Sequence, residues 1–276
     1  MPKKLKNIKI VSKNHIKNNE IKFDEVTDLV ENNGTQVQYV YHLSDIHIMN
    51  EISRHDEYRS VFQSLRNQLI NDKINSNNCI VVVTGDILHN KTTLKPECIS
   101  LVKDFFITLT DLTDVIVILG NHDCNINNKN SLDSLDPIIT KNFHTKNMIY
   151  LLKDNKLYGY KNIIFGVTTL FSKIVTPCKI NTTKVKIALY HGSLYKSKTD
   201  LGFNFNKNSD SVVNDRFTIQ NFSDYDFVML GDIHRHQYLN KEKTIAYASS
   251  LIQQDHGEAL LDHGYIKWDI VNKSSE

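Results

Sequence analysis

Apolar residues along this chain fall into short runs of the kind that form buried strands. Seven runs follow one another, most of them rich in valine or isoleucine, at 37–43, 79–84, 115–119, 163–167, 185–190, 227–230 and 244–248. Short runs with little polar alternation indicate strands that are covered on both faces. We therefore expect a core that is built mainly on β-sheet.

Helical periodicity separates the early strands. One predicted helix carries apolar side chains along a single face, at Val61, Phe62, Leu65, Leu69 and Ile70. Ser53, with Asp56 three residues later, predicts a capped start for this helix. A second helix is expected over residues 97–109, with Pro96 at its N-terminal edge. This alternation predicts an α/β domain with a largely parallel sheet, and the smaller helix content later in the chain predicts a second, mixed sheet.

The N-terminal part of the chain differs from the rest. Residues 1–36 are polar and rich in asparagine and lysine, with only short alternating patches. We expect an extension there that forms a hairpin or an extra edge strand, or is partly disordered, and that carries no chemistry. Residues 37–270 are expected to form one domain, followed by a short tail at 271–276.

A second polar stretch interrupts the later strands. Residues 195–214 are rich in asparagine, lysine and serine, and this composition predicts a long mobile loop. Lys207 and the nearby Arg216 are candidates for contact with an anion, although a solvated loop is the simpler interpretation.

Composition narrows the function only slightly. The chain is 40% hydrophobic and 23% charged, which is ordinary for a globular protein, and its net charge of +2 permits a nucleic-acid partner without indicating one. The four cysteines are scattered without a Cys-x-x-Cys pair, so free thiols in a reducing compartment are expected rather than a thiolate zinc site. Neither a membrane span nor a secretory signal is expected, because no long apolar run is present.

The candidate chemistry lies where the strands end. Five predicted strands are followed by aspartate, asparagine or histidine, within the motifs Asp45-Ile46-His47, Gly85-Asp86-Ile87-Leu88-His89, Gly120-Asn121-His122-Asp123, His191-Gly192 and Gly231-Asp232-Ile233-His234. Ligands of α/β proteins bind in the crevice beyond the carboxyl ends of the strands. One Gly-Asp pair after a strand is usually a turn, but five such ends indicate a shared site.

These side chains are suited to be the donors of a metal centre. They offer oxygen and nitrogen without sulfur, which suits Mn²⁺, Fe²⁺ or Zn²⁺ better than Mg²⁺ or Ca²⁺. About seven groups exceed the needs of one ion and predict two ions that share a carboxylate, about 3.5–4 Å apart. Asp45 and His47 are two residues apart, so on an extended backbone they would face the same side. The glycines before Asp86, Asn121 and Asp232 would let the chain turn tightly at the metal.

The ordered motifs Asp-x-His, Gly-Asp-x-x-His, Gly-Asn-His-Asp, His-Gly and Gly-x-x-His resemble the calcineurin-like metallophosphoesterase superfamily over residues 37–269. Three stretches are similar to its SbcD and meiotic-recombination-eleven branch of DNA repair nucleases, namely 85–89, 133–138 and 249–258 with the closing strand 264–269. Ser249 stands where that branch has glycine. The asparagine- and lysine-rich composition is similar to that of versions from large DNA viruses.

The resemblance implies a four-layer α/β/β/α sandwich with two mixed sheets and a centre of two divalent ions. The implied ligands are Asp45, His47, Asp86, Asn121, His191, Asp232 and His234. Asp86 would bridge the two ions. Asp45, His47 and His234 would bind the first ion, and the other three residues the second. The implied metal is manganese, with iron, zinc and magnesium as alternatives.

The resemblance also implies roles for residues that do not bind metal. His122 would stabilise the transition state or protonate the leaving oxygen, and His89 would assist it on the same face. Further candidates, for support of the ligands or contact with substrate, are Asp123, Arg235, His236, Ser250 and Gln253.

One residue departs from the sequence pattern of the SbcD branch. Where Gly-His-x-His is usual, this chain has Asp232 in place of the first histidine. A carboxylate also serves as a metal ligand and favours a harder ion. Another register would pair His234 with His236, but the alignment of Gly231 with the strand end favours Asp232 with His234.

The implied activity is phosphodiester hydrolysis of DNA, exo- or endonucleolytic, in repair or recombination, with a metal-bridging hydroxide attacking phosphorus in line. Alternatives are a phosphatase, a cyclic-nucleotide phosphodiesterase, or a non-catalytic subunit of a repair complex. An SbcC-like ATPase and a second copy of the chain are the implied partners. Few residues follow Trp268, so the chain is expected either to be a catalytic fragment, to reach such an ATPase differently, or to lack one.

Overall fold

A computed structural model describes residues 6–7, 9–11, 25–31, 34–91, 93–139, 143–202, 217–258 and 261–276. The helices in these residues are α1 (His55–Asn71), α2 (Pro96–Thr110) and α3 (Asp136–Ile139), and there are 3₁₀ turns at Ile52–Arg54 and Ile219–Phe222. Most of the predicted loop at 195–214, together with the anion contact proposed for Lys207 and Arg216, lies outside the described residues.

The strands of the described chain pair into two large sheets. In chain order, β1 to β16 are Lys6–Asn7, Lys9–Val11, Val26–Asp28, Tyr39–Leu43, Cys79–Thr84, Val115–Ile118, His144–Thr145, Ile149–Leu152, Lys156–Tyr160, Ile163–Thr168, Val185–His191, Phe227–Gly231, Gln237–Tyr238, Ile245–Tyr247, Ile266–Asp269 and Ser274–Ser275. The first sheet has the order β16-β15-β4-β5-β6-β8-β2, and the second has the order β13-β14-β12-β11-β10-β9-β3. Strand β1 pairs separately with β7.

Both sheets are mixed, as predicted. In the first, β4, β5, β6, β8 and β2 run parallel, whereas β15 is antiparallel to β4 and β16. In the second, β10, β11, β12 and β14 run parallel, and β9 and β13 pair antiparallel with β10 and β14. Parallel strands end at one edge of their sheet, so each sheet collects several strand ends at one place.

The core lies in layers on either side of the first sheet. Val81 and Val83 of β5 face the helices and contribute to the cluster that contains Phe105 of α2. Ile80 and Val82 face the opposite way, into the cluster between the two sheets. Alternate side chains of one strand are thus buried on both faces, which confirms the reading of these apolar runs as interior strands.

The outer face of the second sheet completes the layers. Phe217 and Phe222, next to or within the second 3₁₀ turn, pack there with Val175 against Val228 and Leu230 of β12. In the described part of the chain, this outer layer is made of loops and the 3₁₀ turn. The predicted α/β class with two mixed sheets is confirmed.

The start of α1 differs from the prediction. The chain enters this helix from the 3₁₀ turn Ile52–Arg54, and Arg54 is the N-cap, without a side-chain hydrogen bond. A capping side chain normally belongs to a residue with extended backbone, but Arg54 is in the right-handed helical region, with φ −94° and ψ −9°. The predicted cap at Ser53 with Asp56 was therefore wrong.

The N-terminal residues add strands to sheets that later segments build. Strand β2 pairs parallel with β8 at one edge of the first sheet, and β3 pairs parallel with β9 at one edge of the second. A hairpin would require pairing between neighbouring strands, but β1, β2 and β3 each pair with a later strand. In the described residues of this segment, β2 and β3 therefore form sheet edges, β1 pairs separately with β7, and none of the three pairs with another as a hairpin.

Two simpler expectations concern cysteines and membrane spans. All four cysteines are free, as predicted, and all four are buried: Cys79, Cys98, Cys124 and Cys178. Among the helices of the described residues, none combines the length and the apolar character that crossing a bilayer requires.

Candidate metal centre

The strand ends of the two sheets meet at one cavity. The first sheet contributes Asp45, His47, Asp86 and Asn121, and the second contributes His191, Asp232 and His234. The cavity has a volume of about 210 Å³ and is lined by His47, Asp86, His89, Asn121, His122, Asp232, His234, Gln254 and Asp255. All seven predicted ligands thus lie in or directly beside one cavity.

Four donor groups surround the first candidate metal position. The Nε2 atom of His47 lies 3.0 Å from Nε2 of His234, 3.4 Å from Oδ2 of Asp86 and 3.9 Å from Oδ1 of Asp45. The Nε2 atom of His234 lies 3.8 Å from the same oxygen of Asp45. We call this group of His47, His234, Asp86 and Asp45 position A.

A second group has the same pattern around another histidine. The Nε2 atom of His191 lies 3.0 Å from Oδ1 of Asn121, 3.5 Å from Oδ2 of Asp86 and 4.0 Å from Oδ1 of Asp232. We call this group of His191, Asn121, Asp86 and Asp232 position B. The Oδ2 atom of Asp86 belongs to both groups, which is the geometry that a bridging carboxylate requires.

These distances and the burial of the groups fit two divalent ions. Metal bonds of about 2.0–2.2 Å place neighbouring ligand atoms about 3 Å apart. Asp45 is fully buried, and in the described chain its ion-pair partners are the imidazoles of His47 and His234. Burial raises the pKa of Asp45 to about 6, although His191 and His234 oppose that shift. A buried carboxylate without a lysine or arginine partner is suited to a bound cation.

The loops that carry the ligands have unusual backbone conformations. Asp45, His47, Asp86 and Asp232 have φ angles of 53°, 47°, 52° and 93°. A left-handed residue other than glycine costs about 1–2 kcal/mol, so contacts elsewhere must hold it. Hydrogen bonds between the loops do so, because the His47 N–H donates to the Asp86 carbonyl at 2.9 Å. The expectation that Asp45 and His47 lie on an extended backbone was therefore wrong, although their side chains do converge.

Glycines allow the elements of the site to approach closely. Gly85 has a φ angle of 92°, and a Cβ atom there would lie 2.6 Å from Nδ1 of His191. A Cβ atom at Gly231 would collide with the Thr84 carbonyl, although its φ angle does not itself demand glycine. The predicted tight turn therefore holds for Gly85, whereas Gly231 is needed for contact between the two sheets.

Hydrogen bonds aim the two histidines of the second sheet. Nδ1 of His191 donates to the Thr84 carbonyl at 2.7 Å, which leaves Nε2 for position B. Nδ1 of His234 lies 2.5 Å from Oε1 of Glu258, which leaves Nε2 for position A. Burial tends to lower the pKa of His234, but its bond to Glu258 and the charge of Asp45 raise that pKa to about 9.

Glu258 contacts the candidate ligand His234, and the sequence assigned it no role. Its carboxylate is buried, and Oε2 accepts hydrogen bonds from the Ser250 hydroxyl at 3.1 Å and the Gln254 N–H at 2.9 Å. Gln253 donates to the Glu258 carbonyl at 3.2 Å. The sequence signal that could have pointed to Glu258 was its place at the end of the 249–258 motif. Ser250 and Gln253 therefore support Glu258, which in turn orients His234.

His122 lines the cavity, and one of its two ring nitrogens is held by a hydrogen bond. Its Nδ1 donates to the His89 carbonyl at 2.6 Å, and its backbone N–H donates to Oδ1 of Asp86 at 2.8 Å. The Nε2 atom is therefore free to meet a substrate. His47, His89 and His122 also form a third group whose donor atoms are close enough to hold a cation. That His122 acts in catalysis and does not bind metal remains a prediction.

Asp123 belongs to the scaffold of the site. It is fully buried, and its carboxylate accepts hydrogen bonds from the N–H groups of Ile87 and Leu88, both at 3.0 Å, and of Gly120 at 2.9 Å. It joins the loops that follow β5 and β6 and does not line the cavity.

The remaining candidate residues differ in whether they line the cavity. Asp232 and His234 line the cavity, whereas the ring of His236 packs against Tyr238 with 5.1 Å between centroids. This placement agrees with the preferred register. Arg235 is exposed and does not line the cavity. Two lining residues, Gln254 and Asp255, were missed because the sequence motif carries no sign of which of its residues face inward.

Most of the chain is similar to known proteins. The family of calcineurin-like phosphoesterases matches residues 39–264. "Uncharacterized protein R555" of Acanthamoeba polyphaga mimivirus is 46% identical over 258 residues. That match covers 90% of this chain but only 18% of the mimivirus protein, so the chain spans less than a fifth of this relative.

Proposed function

This chain belongs to the calcineurin-like phosphoesterase family, and on that premise we propose that it cleaves phosphodiester bonds of DNA with two divalent metal ions. The observation that carries the proposal is the pairing of positions A and B through Asp86, directly beside His122. A phosphate that enters this cavity meets both candidate ion positions and the free nitrogen of His122.

Different residues of the chain would have different roles in hydrolysis. Two ions at positions A and B would neutralise charge on the phosphoryl oxygens and lower the pKa of the attacking water. Asp86 would set the distance between the ions. His122, with Nδ1 held by the His89 carbonyl, would present Nε2 to the phosphate and donate a proton or a hydrogen bond. His89 would assist on the same face, as the resemblance implies, and its backbone carbonyl holds the His122 ring.

Manganese is the proposed metal, with iron, zinc and magnesium as alternatives. Mn²⁺ accepts both imidazole nitrogen and carboxylate oxygen, and positions A and B offer both kinds of donor. The resemblance to SbcD-type nucleases supports DNA as the substrate. The stretch 249–258, which carries part of that resemblance, supplies Gln254 and Asp255 to the cavity wall and Glu258 to His234. Binding through the DNA backbone should weaken as salt rises.

We also propose the cellular compartment and the partners of this protein. Four buried free thiols and a similar mimivirus protein support an intracellular, reducing site, with a role in DNA repair or recombination. An SbcC-like ATPase and a second copy of the chain are the proposed partners, by resemblance to the SbcD branch.

One experiment compares possible substrates directly. The protein is incubated with Mn²⁺ and, in parallel, labelled single- and double-stranded DNA, a cyclic nucleotide and a phosphomonoester. We expect cleavage of DNA that a chelator abolishes. Cleavage of the monoester alone would refute the nuclease proposal, as would cleavage of the cyclic nucleotide alone. Absence of all activity in protein that binds two ions would favour a non-catalytic subunit.

A further inference from the structure

We infer that positions A and B bind chemically different ions, and that Asp232 makes position B a place for a hard, oxygen-preferring ion such as Mg²⁺. The inference rests on the proposed function only in that both positions bind metal. It concerns the selectivity of each position and does not depend on the substrate.

The two positions differ in one donor: position A has a second imidazole nitrogen where position B has an oxygen. Position A offers two imidazole nitrogens, from His47 and His234, and two carboxylates. Position B offers the single imidazole of His191 and three oxygens. Asp86 belongs to both positions, and a carboxylate oxygen of Asp45 also lies within 4.8 Å of the donors of Asp86 and His191, so the difference arises from the remaining ligands.

Donor type governs which ions a position prefers. Imidazole suits iron and zinc, whereas carboxylate and carbonyl oxygens suit Mg²⁺, Ca²⁺ and Mn²⁺. Position A should therefore discriminate strongly against Mg²⁺. Position B should accept Mn²⁺ or Mg²⁺, and the ion present in excess should occupy it. A histidine in place of Asp232 would give both positions the same number of nitrogens.

The surroundings of Asp232 are also suited to a partly hydrated ion. Its side chain is 30% exposed, whereas that of His191 is 1% exposed, so position B opens toward solvent on the Asp232 side. Mg²⁺ loses its water reluctantly and usually keeps several water ligands. The backbone N–H of Asp232 donates to both carboxylate oxygens of Asp45, at 3.1 and 3.2 Å, which fixes the residue between the two positions.

The test counts bound Mn²⁺ by electron paramagnetic resonance, in the full chain and without substrate. Metal-free protein is equilibrated with Mn²⁺, first alone and then with Mg²⁺ in large excess. For the natural chain we expect about two bound Mn²⁺ per chain, falling to about one when Mg²⁺ is added. Asp232→His should retain about two Mn²⁺ in the same excess of Mg²⁺.

Two further variants control this result. Glu242→His adds an imidazole at an exposed position outside the cavity, and it should lose one Mn²⁺ to Mg²⁺ as the natural chain does. Asp232→Asn keeps an oxygen donor and should also remain sensitive to Mg²⁺, even where the histidine variant is poorly folded.

The outcomes separate this inference from the proposed function. Retention of both Mn²⁺ ions by the natural chain, or loss of both to Mg²⁺, would overturn the inference. Equal behaviour of Asp232→His and the natural chain would do the same. A chain that binds no metal would contradict the proposed function itself, and a chain with unequal positions that cleaves no DNA would contradict only the choice of substrate.

Discussion

The edges of the two sheets supply the same centre by different physical means. At the first sheet, backbone hydrogen bonds lock the ligand loops to each other: the Asp45 N–H donates to the Gly85 carbonyl at 3.1 Å, and Ile48 forms a β-bridge with Leu88. At the second sheet, single hydrogen bonds aim the ligands, as Glu258 does for His234. Backbone bonds also join loops at the second edge, where the Gly192 N–H donates to the Gly231 carbonyl at 3.0 Å, but the rings of its two histidines are each aimed by one hydrogen bond.

This difference has a consequence for the metal positions. Each position combines donors from both edges, such as His47 with His234 at position A and Asn121 with His191 at position B. The first edge holds the shared Asp86, whereas Asp232 and Glu258 belong to the second edge. Substitution of the shared ligand should therefore empty both positions, whereas substitutions on the second edge should alter one position.

The largest effect is expected at Asp86. Replacing it with asparagine weakens the ligand that both positions share, so the variant should lose ions from both and show no detectable hydrolysis. Metal content after dialysis, measured by mass spectrometry, checks this. Asp56→Asn is the matched control, because Asp56 is almost fully exposed on α1. Two retained ions in Asp86→Asn would show that Asp86 does not bridge the positions.

The next effect separates chemistry from metal binding on the first edge. His122→Asn should lower the hydrolysis rate by about 10²–10⁴-fold while both ions stay bound, because the side chain is expected to transfer a proton rather than to bind metal. Activity and metal content are measured on the same sample, with His236→Asn as the control outside the cavity. Loss of an ion would instead support the third group of His47, His89 and His122.

A smaller effect is expected at the second edge. Glu258→Gln removes the charge that orients His234, and loss of such a partner typically costs about 10–100-fold in metal affinity. Calorimetric titration with Mn²⁺ should show weaker binding at one position and unchanged binding at the other. Glu242→Gln, at an exposed site, is the control. Equal weakening at both positions would mean that Glu258 supports the whole fold rather than His234.

The last effect concerns stability and pH beneath the first edge. His42 of β4 is fully buried, and burial lowers its pKa to about 3, against a weaker opposing effect of the Leu230 carbonyl. The unfolded chain binds a proton near pH 6.5 and the folded chain only near 3, so stability should fall as pH drops between these values, by up to about 1.4 kcal/mol per pH unit.

Denaturant unfolding across this pH range tests that expectation. His42→Gln cannot take up the proton and should flatten the profile, whereas His144→Gln, at an exposed position, should not. An unchanged slope in His42→Gln would show that other groups cause the acid sensitivity.

Much of the fold and of the site could be predicted from local patterns. The apolar runs of β4, β5 and β6 predict buried strands because the residues that fill both faces of a strand are contiguous in sequence. The polar residues at their ends predict a common cavity because parallel strands end together. The convergence of Asp45, Asp86 and His191 followed from that single rule.

Other features depend on contacts between distant segments. The cap expected at Ser53 failed because a 3₁₀ turn sets the backbone before α1. The positive φ angles of Asp45 and His47 arise from hydrogen bonds to the loop after β5, about forty residues away. The importance of Glu258 appears only when its carboxylate is seen against His234.

The sequence by itself determined the kinds of donor atom, their order along the chain and the strands that carry them, because these are properties of residue type and local spacing. Only the tertiary structure decided how those donors divide between positions A and B. That division depends on how the two sheets pack, which brings His47 to His234 and Asn121 to His191 across the gap between them. The same packing places Asp232, which the sequence marked only as an unusual residue, at position B.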